Sequence, residues 1–242
     1  MLRSELINSG ELGLDHDPNF RWRGKAVTRI ENLSDIVFAL ALGMLITTAD
    51  PLRTFDDLNL FLVSAAPVAL GFIILLQIWH NHFTFFRRYG VADRYIIILN
   101  AILLFIIMYL AYPLKIMFDG LFSYFLGFFD GYARMGKLQV NFPRSGQLVG
   151  YFALGFTVIN SIFTLMYRHV LARKVQLALS ETELILTRKS YMLHIFMISI
   201  CLIVAGLSLL TPLYSIGSLA FALQAPLVIW LRHRYRVTSD QN

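Results

Sequence analysis

Long apolar runs alternate with short charged gaps along this chain. Residues 58 to 86 contain no Asp, Glu, Lys or Arg, and the same is true of Tyr95 to Leu114, of Ser145 to Tyr167 and of residues 190 to 231. A helix needs roughly 20 residues to cross about 30 Å of hydrocarbon. The first three runs therefore predict one membrane span each. The last is long enough for two, and Thr211-Pro212-Leu213-Tyr214-Ser215 inside it reads as a tight turn between helices. Ahead of them only 14 uncharged residues, Ile36 to Ala49, separate Asp35 from Asp50, about 21 Å of helix. If this stretch spans, it starts near Thr28 and takes Arg29, Glu31 and Asp35 into or near the membrane. The pattern predicts an all-α integral membrane protein with six transmembrane helices. Residues 1–27 form an N-terminal segment, 28–232 the membrane domain and 233–242 a tail, with no convincing internal repeat.

On a wheel of about 100° per residue, Leu33, Ile36, Val37, Gly43, Met44 and Thr47 fall on the side of Leu40. Asp35 lies about 140° round from Leu40 and Ser34 about 120° the other way. Polar groups in hydrocarbon are costly and usually face protein. Gln77, Trp79, His80 and His82 in the second span and Asn100 in the third are the available partners. The first helix is thus expected to attach to its own subunit by a polar back and to present an apolar front.

Composition agrees with the class: 57% of the 242 residues are hydrophobic and 15% charged. The net charge of +6 does not indicate nucleic acid, because the basic residues sit in the gaps between apolar runs. Leaving out the distant Arg3, alternate gaps hold fifteen and five Lys and Arg, which places both termini in the cytoplasm of a plasma-membrane protein. The segment Phe118 to Arg144 is then external, at headgroup level or extending the third helix. Residues 1 to 28 lack an apolar signal-peptide core, so the first span is expected to direct insertion. Cys201, the lone cysteine, lies in an apolar run and reads as packing. His80 and His82, two apart on a helix, point about 200° apart, so they do not form a metal site. No nucleophile and base pair suggests an enzyme, and no cofactor is expected.

Two motifs carry a resemblance. Arg29-x-x-x-Leu33-Ser34-Asp35 is one residue away from R-x-x-x-F-S-D, and Trp79-His80-Asn81-His82-x-x-x-Phe86, followed by Arg87, Asp93, Arg94 and Asn100, is similar to a W-x-x-H-H segment and the helix after it. Residues 25 to 115 or so thereby resemble the lysosomal potassium channel family, transmembrane protein 175; the later spans match only as apolar helices. The resemblance implies a homotetramer around the first helix, as in the family's bacterial branch, and cation permeation favouring potassium without a T-V-G-Y-G filter. It implies a pore lined by Ile36, Leu40, Gly43, Met44 and Thr47, narrowing at Leu40, with Arg29, Ser34, Asp35, Trp79, His82 and Asn100 as a supporting network. Gly43 stands where family members commonly have Thr or Ser, and Thr47 where an aliphatic ring is expected. The alternative reading is a proton-coupled secondary transporter with Asp35 and His82 as its relay.

Overall fold

A computed structural model describes residues 20–24, 26–47, 53–130, 142–212 and 223–235. The described residues form seven helices and no strand: α1 (Arg29–Ile46), α2 (Phe55–Val63), α3 (Ala65–Tyr89), α4 (Arg94–Asp130), α5 (Phe142–Ala172), α6 (Glu181–Leu210) and α7 (Gln224–Arg234). Local signals set several ends. Thr28 and Glu31 close a reciprocal capping box ahead of α1, and Ser180 and Glu183 repeat the device ahead of α6. Gly90 ends α3 in the left-handed region, with φ 61° and its N–H on the Phe86 carbonyl at 2.9 Å.

Four helices among the described residues are long and apolar enough to cross a membrane: Ala65–Tyr89, Arg94–Ala111, Gly146–Ala172 and Glu181–Leu210. Six spans were expected. The first, α1, has 18 residues, about 27 Å of helix, and holds Arg29, Glu31 and Asp35 in its opening turns. The sixth is described only through the 11 residues of α7, and residues 213–222 of the expected hairpin turn lie outside the described residues. The apolar run from residue 58 is broken at Ser64, whose hydroxyl donates to the Phe61 carbonyl at 2.6 Å, so α2 and α3 are separate helices. Of the two expectations for the segment after Phe118, helix extension holds as far as Asp130; residues 131–141 lie outside the described set.

α1 packs on α3 and α4, and α4 packs on α5. One continuous core results, in which Phe38, Ala41 and Leu45 of α1 meet Leu75, Phe85 and Phe86 of α3, Leu103 and Ile107 of α4, and Phe163 and Met166 of α5. At the α1–α3 crossing Gly71 lies against the Leu45 side chain. α5 and α6 form a hairpin with a small core of their own, Val149, Ala153, Ile200, Val204 and Ala205. The motif-bearing helices are thus the ones locked around α1.

Candidate functional site

The two sides of α1 differ in what they meet. Glu31, Ser34, Phe38, Ala41 and Leu45 are buried. Leu33, Ile36 and Leu40 are 56%, 58% and 55% exposed on the subunit, and Ile46 51%. Gly43 and Thr47 are exposed as well, while Val37 and Met44 are half-buried. The Leu40 side predicted from the wheel is therefore the open side. Nothing lies within 4 Å of the position a Gly43 Cβ would take. Leu42 is half-buried against the core, a different environment from Leu40 two residues away.

The buried side carries a directed hydrogen-bond chain across three helices. Nε2 of His82 (α3) lies 2.9 Å from Oδ1 of Asn100 (α4). Asn100 Nδ2 donates to Ser34 Oγ at 3.0 Å, and Ser34 Oγ donates to the Ile30 carbonyl at 2.8 Å. Because Asn100 Oδ1 can only accept, this order requires the proton on Nε2 of His82. All three side chains are 0 to 2% exposed, where a group left unpaired costs about 1–3 kcal/mol. The His82 ring also packs against Phe38 and Phe86, with centroids at 5.6 and 4.7 Å. Ser34 of α1 and the candidate partners His82 and Asn100 come together, but His82 does not bond Ser34 directly. Asn100 stands between them.

Asp35 sits on the flank of α1, exposed, rather than in the polar back with Ser34. Its Oδ1 accepts from Trp79 Nε1 at 2.9 Å, so of the available partners in the second span Asp35 takes Trp79 and not His82. A residue three positions earlier on α3 is nearly on the same face, and the indole is long enough to reach the flank. Asp35 and His82 are thus committed to different partners, and a relay between them has no direct link. Arg29 is exposed at the start of α1. Glu31 spends its carboxylate on the cap, Oε2 accepting from Thr28 N at 2.7 Å. The Thr28-x-x-Glu31 spacing is that of a capping box. At the other end, Thr47 Oγ1 donates back to the Gly43 carbonyl at 3.1 Å, and Lys115 Nζ on α4 donates to the Thr47 carbonyl at 2.8 Å.

Residues 29–110, which hold this whole arrangement, match the family model of the endosomal/lysosomal potassium channel TMEM175. Over 204 residues the chain is 33% identical to a potassium channel of Marivirga tractuosa, covering 81% of this chain and 80% of that one. The crystal structure of a variant of the potassium channel MtTMEM175, in complex with a nanobody–MBP fusion, superposes with a TM-score of 0.79 at 30% identity, covering 92% of this chain and 99% of the other. A lysosomal potassium-selective channel TMEM175 homolog from Chamaesiphon minutus, 19% identical with a TM-score of 0.53, covers 86% and 97% and shares the fold.

Proposed function

The chain belongs to the TMEM175 potassium channel family, and from that premise we propose that it is a potassium-permeable cation channel of the plasma membrane, built from four copies with α1 of each lining a central pore. The observation that carries this reading is the open apolar face of α1, Leu33, Ile36 and Leu40, backed by a fully satisfied buried face. A bare apolar face on a membrane helix meets lipid or another copy, and its place on the helix that opens the family match, residues 29–110, supports a copy. In a fourfold assembly that face meets its own copies. Four Leu40 isobutyl groups then form a ring that offers an ion no substitute for its water shell, and a gap barely wider than water tends to dewet. The narrowest constriction is hydrophobic and takes the place of a carbonyl filter. Met44 adds a softer ring one turn on, and Thr47 presents hydroxyl oxygen to arriving hydrated cations.

Single-channel recording from purified protein in a bilayer tests the reading. Unitary steps are expected, with Leu40→Ala raising resting current and narrowing the difference between potassium and sodium. Leu42→Ala should lower stability and leave permeation alone. Equal, unchanged current and reversal potential in both variants would place the pore elsewhere; saturable pH-coupled flux without unitary steps would favour a carrier. The basic-residue count places both termini inside. A cysteine at Phe55, which is 80% exposed, should accept an impermeant thiol reagent from outside, and one at Lys174 should not; the reverse labelling would invert the orientation.

A further inference from the structure

The residues leading into α1 are fixed far more heavily than a connecting segment requires. Phe20 is buried, its ring edge-on to Tyr89 at 5.4 Å and beneath the Arg88 guanidinium at 4.9 Å. Arg23 N and Gly24 N both donate to the Arg87 carbonyl, at 3.1 and 3.0 Å, one of the last carbonyls of α3, which the helix itself leaves unpaired. Arg87 Nη1 donates back to the Gly24 carbonyl at 3.0 Å. Gly24 has no room for a side chain, because a Cβ would stand 2.4 Å from the Phe86 carbonyl oxygen.

The other attachment is to the start of α6 and the turn before it. Arg23 Nε donates to the Leu177 carbonyl at 2.8 Å, Nη1 to the Arg21 carbonyl at 3.0 Å and to Glu183 Oε1 at 2.9 Å, and Nη2 to the Ala178 carbonyl at 3.0 Å and to Glu183 Oε2 at 2.8 Å. A guanidinium has five N–H donors in a fixed fork, and all five are used. Arg21 N adds a bond to Glu183 Oε1 at 2.8 Å. Ala178 holds φ 45°, the one non-glycine positive φ among the described residues, and such a conformation persists only where its surroundings enforce it. Its carbonyl is one of those Arg23 takes.

We propose that Phe20–Gly24 is a positioning strap for the pore helix, with Arg23 the residue that couples the α5–α6 turn to the Arg29 end of α1. The inference rests on the reading of α1 as the pore helix. Only four residues separate Gly24 from Arg29, so the strap lies close in sequence to the start of α1. Parting a Leu40 ring takes only a small shift, and the strap sets where that helix starts. It therefore biases the open–closed equilibrium without touching the ion path.

Two variants release the two attachments separately: Glu183→Gln loosens the hold on α6, and Gly24→Ala lifts the strap from α3. In reconstituted full-length channels both are expected to shift open probability at least threefold, in the same direction, with unitary conductance and reversal potential unchanged. Should Glu183→Gln fail to assemble, Arg23→Lys decides by the same readout, since it keeps the charge and loses the fork. Lower thermal stability with wild-type open probability in the assembled variants would overturn the proposal and leave a purely structural clasp. Absence of unitary current in the wild type would instead defeat the pore reading itself.

Discussion

Two buried histidines in this molecule have nearly the same local chemistry and different reach. His82 on α3 faces Asn100 Oδ1 at 2.9 Å; His194 on α6 faces Asn160 Oδ1 on α5, also at 2.9 Å. Asn100 passes its amide on to Ser34 and so to α1, whereas Asn160 Nδ2 turns back to the Phe156 carbonyl of its own helix at 2.8 Å. The His194 ring then stacks on Phe163 and Tyr167 at 5.0 and 5.5 Å, inside the α5–α6 hairpin and its surroundings. The same His–Asn pair is thus a link between three helices in one half and a local rivet in the other. The two pairs differ in where the asparagine's second hydrogen bond goes.

The largest expected effect breaks that comparison directly. Asn100→Leu strands a buried His82 N–H, which costs about 1–3 kcal/mol, and cuts the link to Ser34, whose hydroxyl keeps its bond to the Ile30 carbonyl. Thermal unfolding of the purified protein should fall accordingly, and unitary current should change with it because α1 loses its tether. Asn160→Leu strands His194 in the same way and should cost a similar 1–3 kcal/mol or so, yet leave conductance and reversal potential at wild-type values. If both variants alter permeation alike, the hairpin pair is not a local rivet. If neither does, the network around Ser34 holds the fold only.

The difference between the halves also governs what was legible in the sequence. Two histidines and an asparagine stand out inside charge-free runs, and Ser34 lies beside Asp35 in the opening turns of α1, where polar groups need partners. Ser34, His82 and Asn100 could therefore be gathered before any coordinates. The direct partner of Asp35 could not, since Trp79 and His82 lie one turn apart on one helix face and only the flank position of Asp35 decides between them. The Thr28–Glu31 and Ser180–Glu183 boxes have the fixed spacing of that motif. The break at Ser64 is marked by Pro67, which has no N–H for the carbonyl four residues before it and clashes with that carbonyl, so a helix restarts at Ala65 with the proline in its first turn. The contact of Arg23 with Glu183 joins residues 160 apart, and no local pattern announces it. Helix faces are written in periodicity; long-range clasps and the exact choice between adjacent partners are written in packing.

The smallest expected effect sharpens the comparison within α4, which holds α1 at two points. Asn100 does so in the buried interior, and Lys115 does so at the far end, where its ammonium meets the Thr47 carbonyl in an exposed setting. Helix carbonyls at a C-terminus lack intrahelical partners and carry partial negative charge, which attracts cations to a pore mouth. Lys115 offsets that charge. In an exposed position its contribution to stability should be under about 1 kcal/mol, so unlike Asn100→Leu, Lys115→Gln should unfold at nearly the wild-type temperature. Its effect is expected in the current instead. Removing a fixed positive charge beside the mouth raises the local cation concentration, so at low ionic strength conductance should increase by roughly twofold or less. Around 1 M salt, where the Debye length shrinks to about 3 Å, the increase should vanish. Lys115→Arg, which keeps the charge, should match wild type throughout. A conductance for Lys115→Gln equal to wild type at low salt would mean that the Thr47 end of α1 does not face the arriving ions.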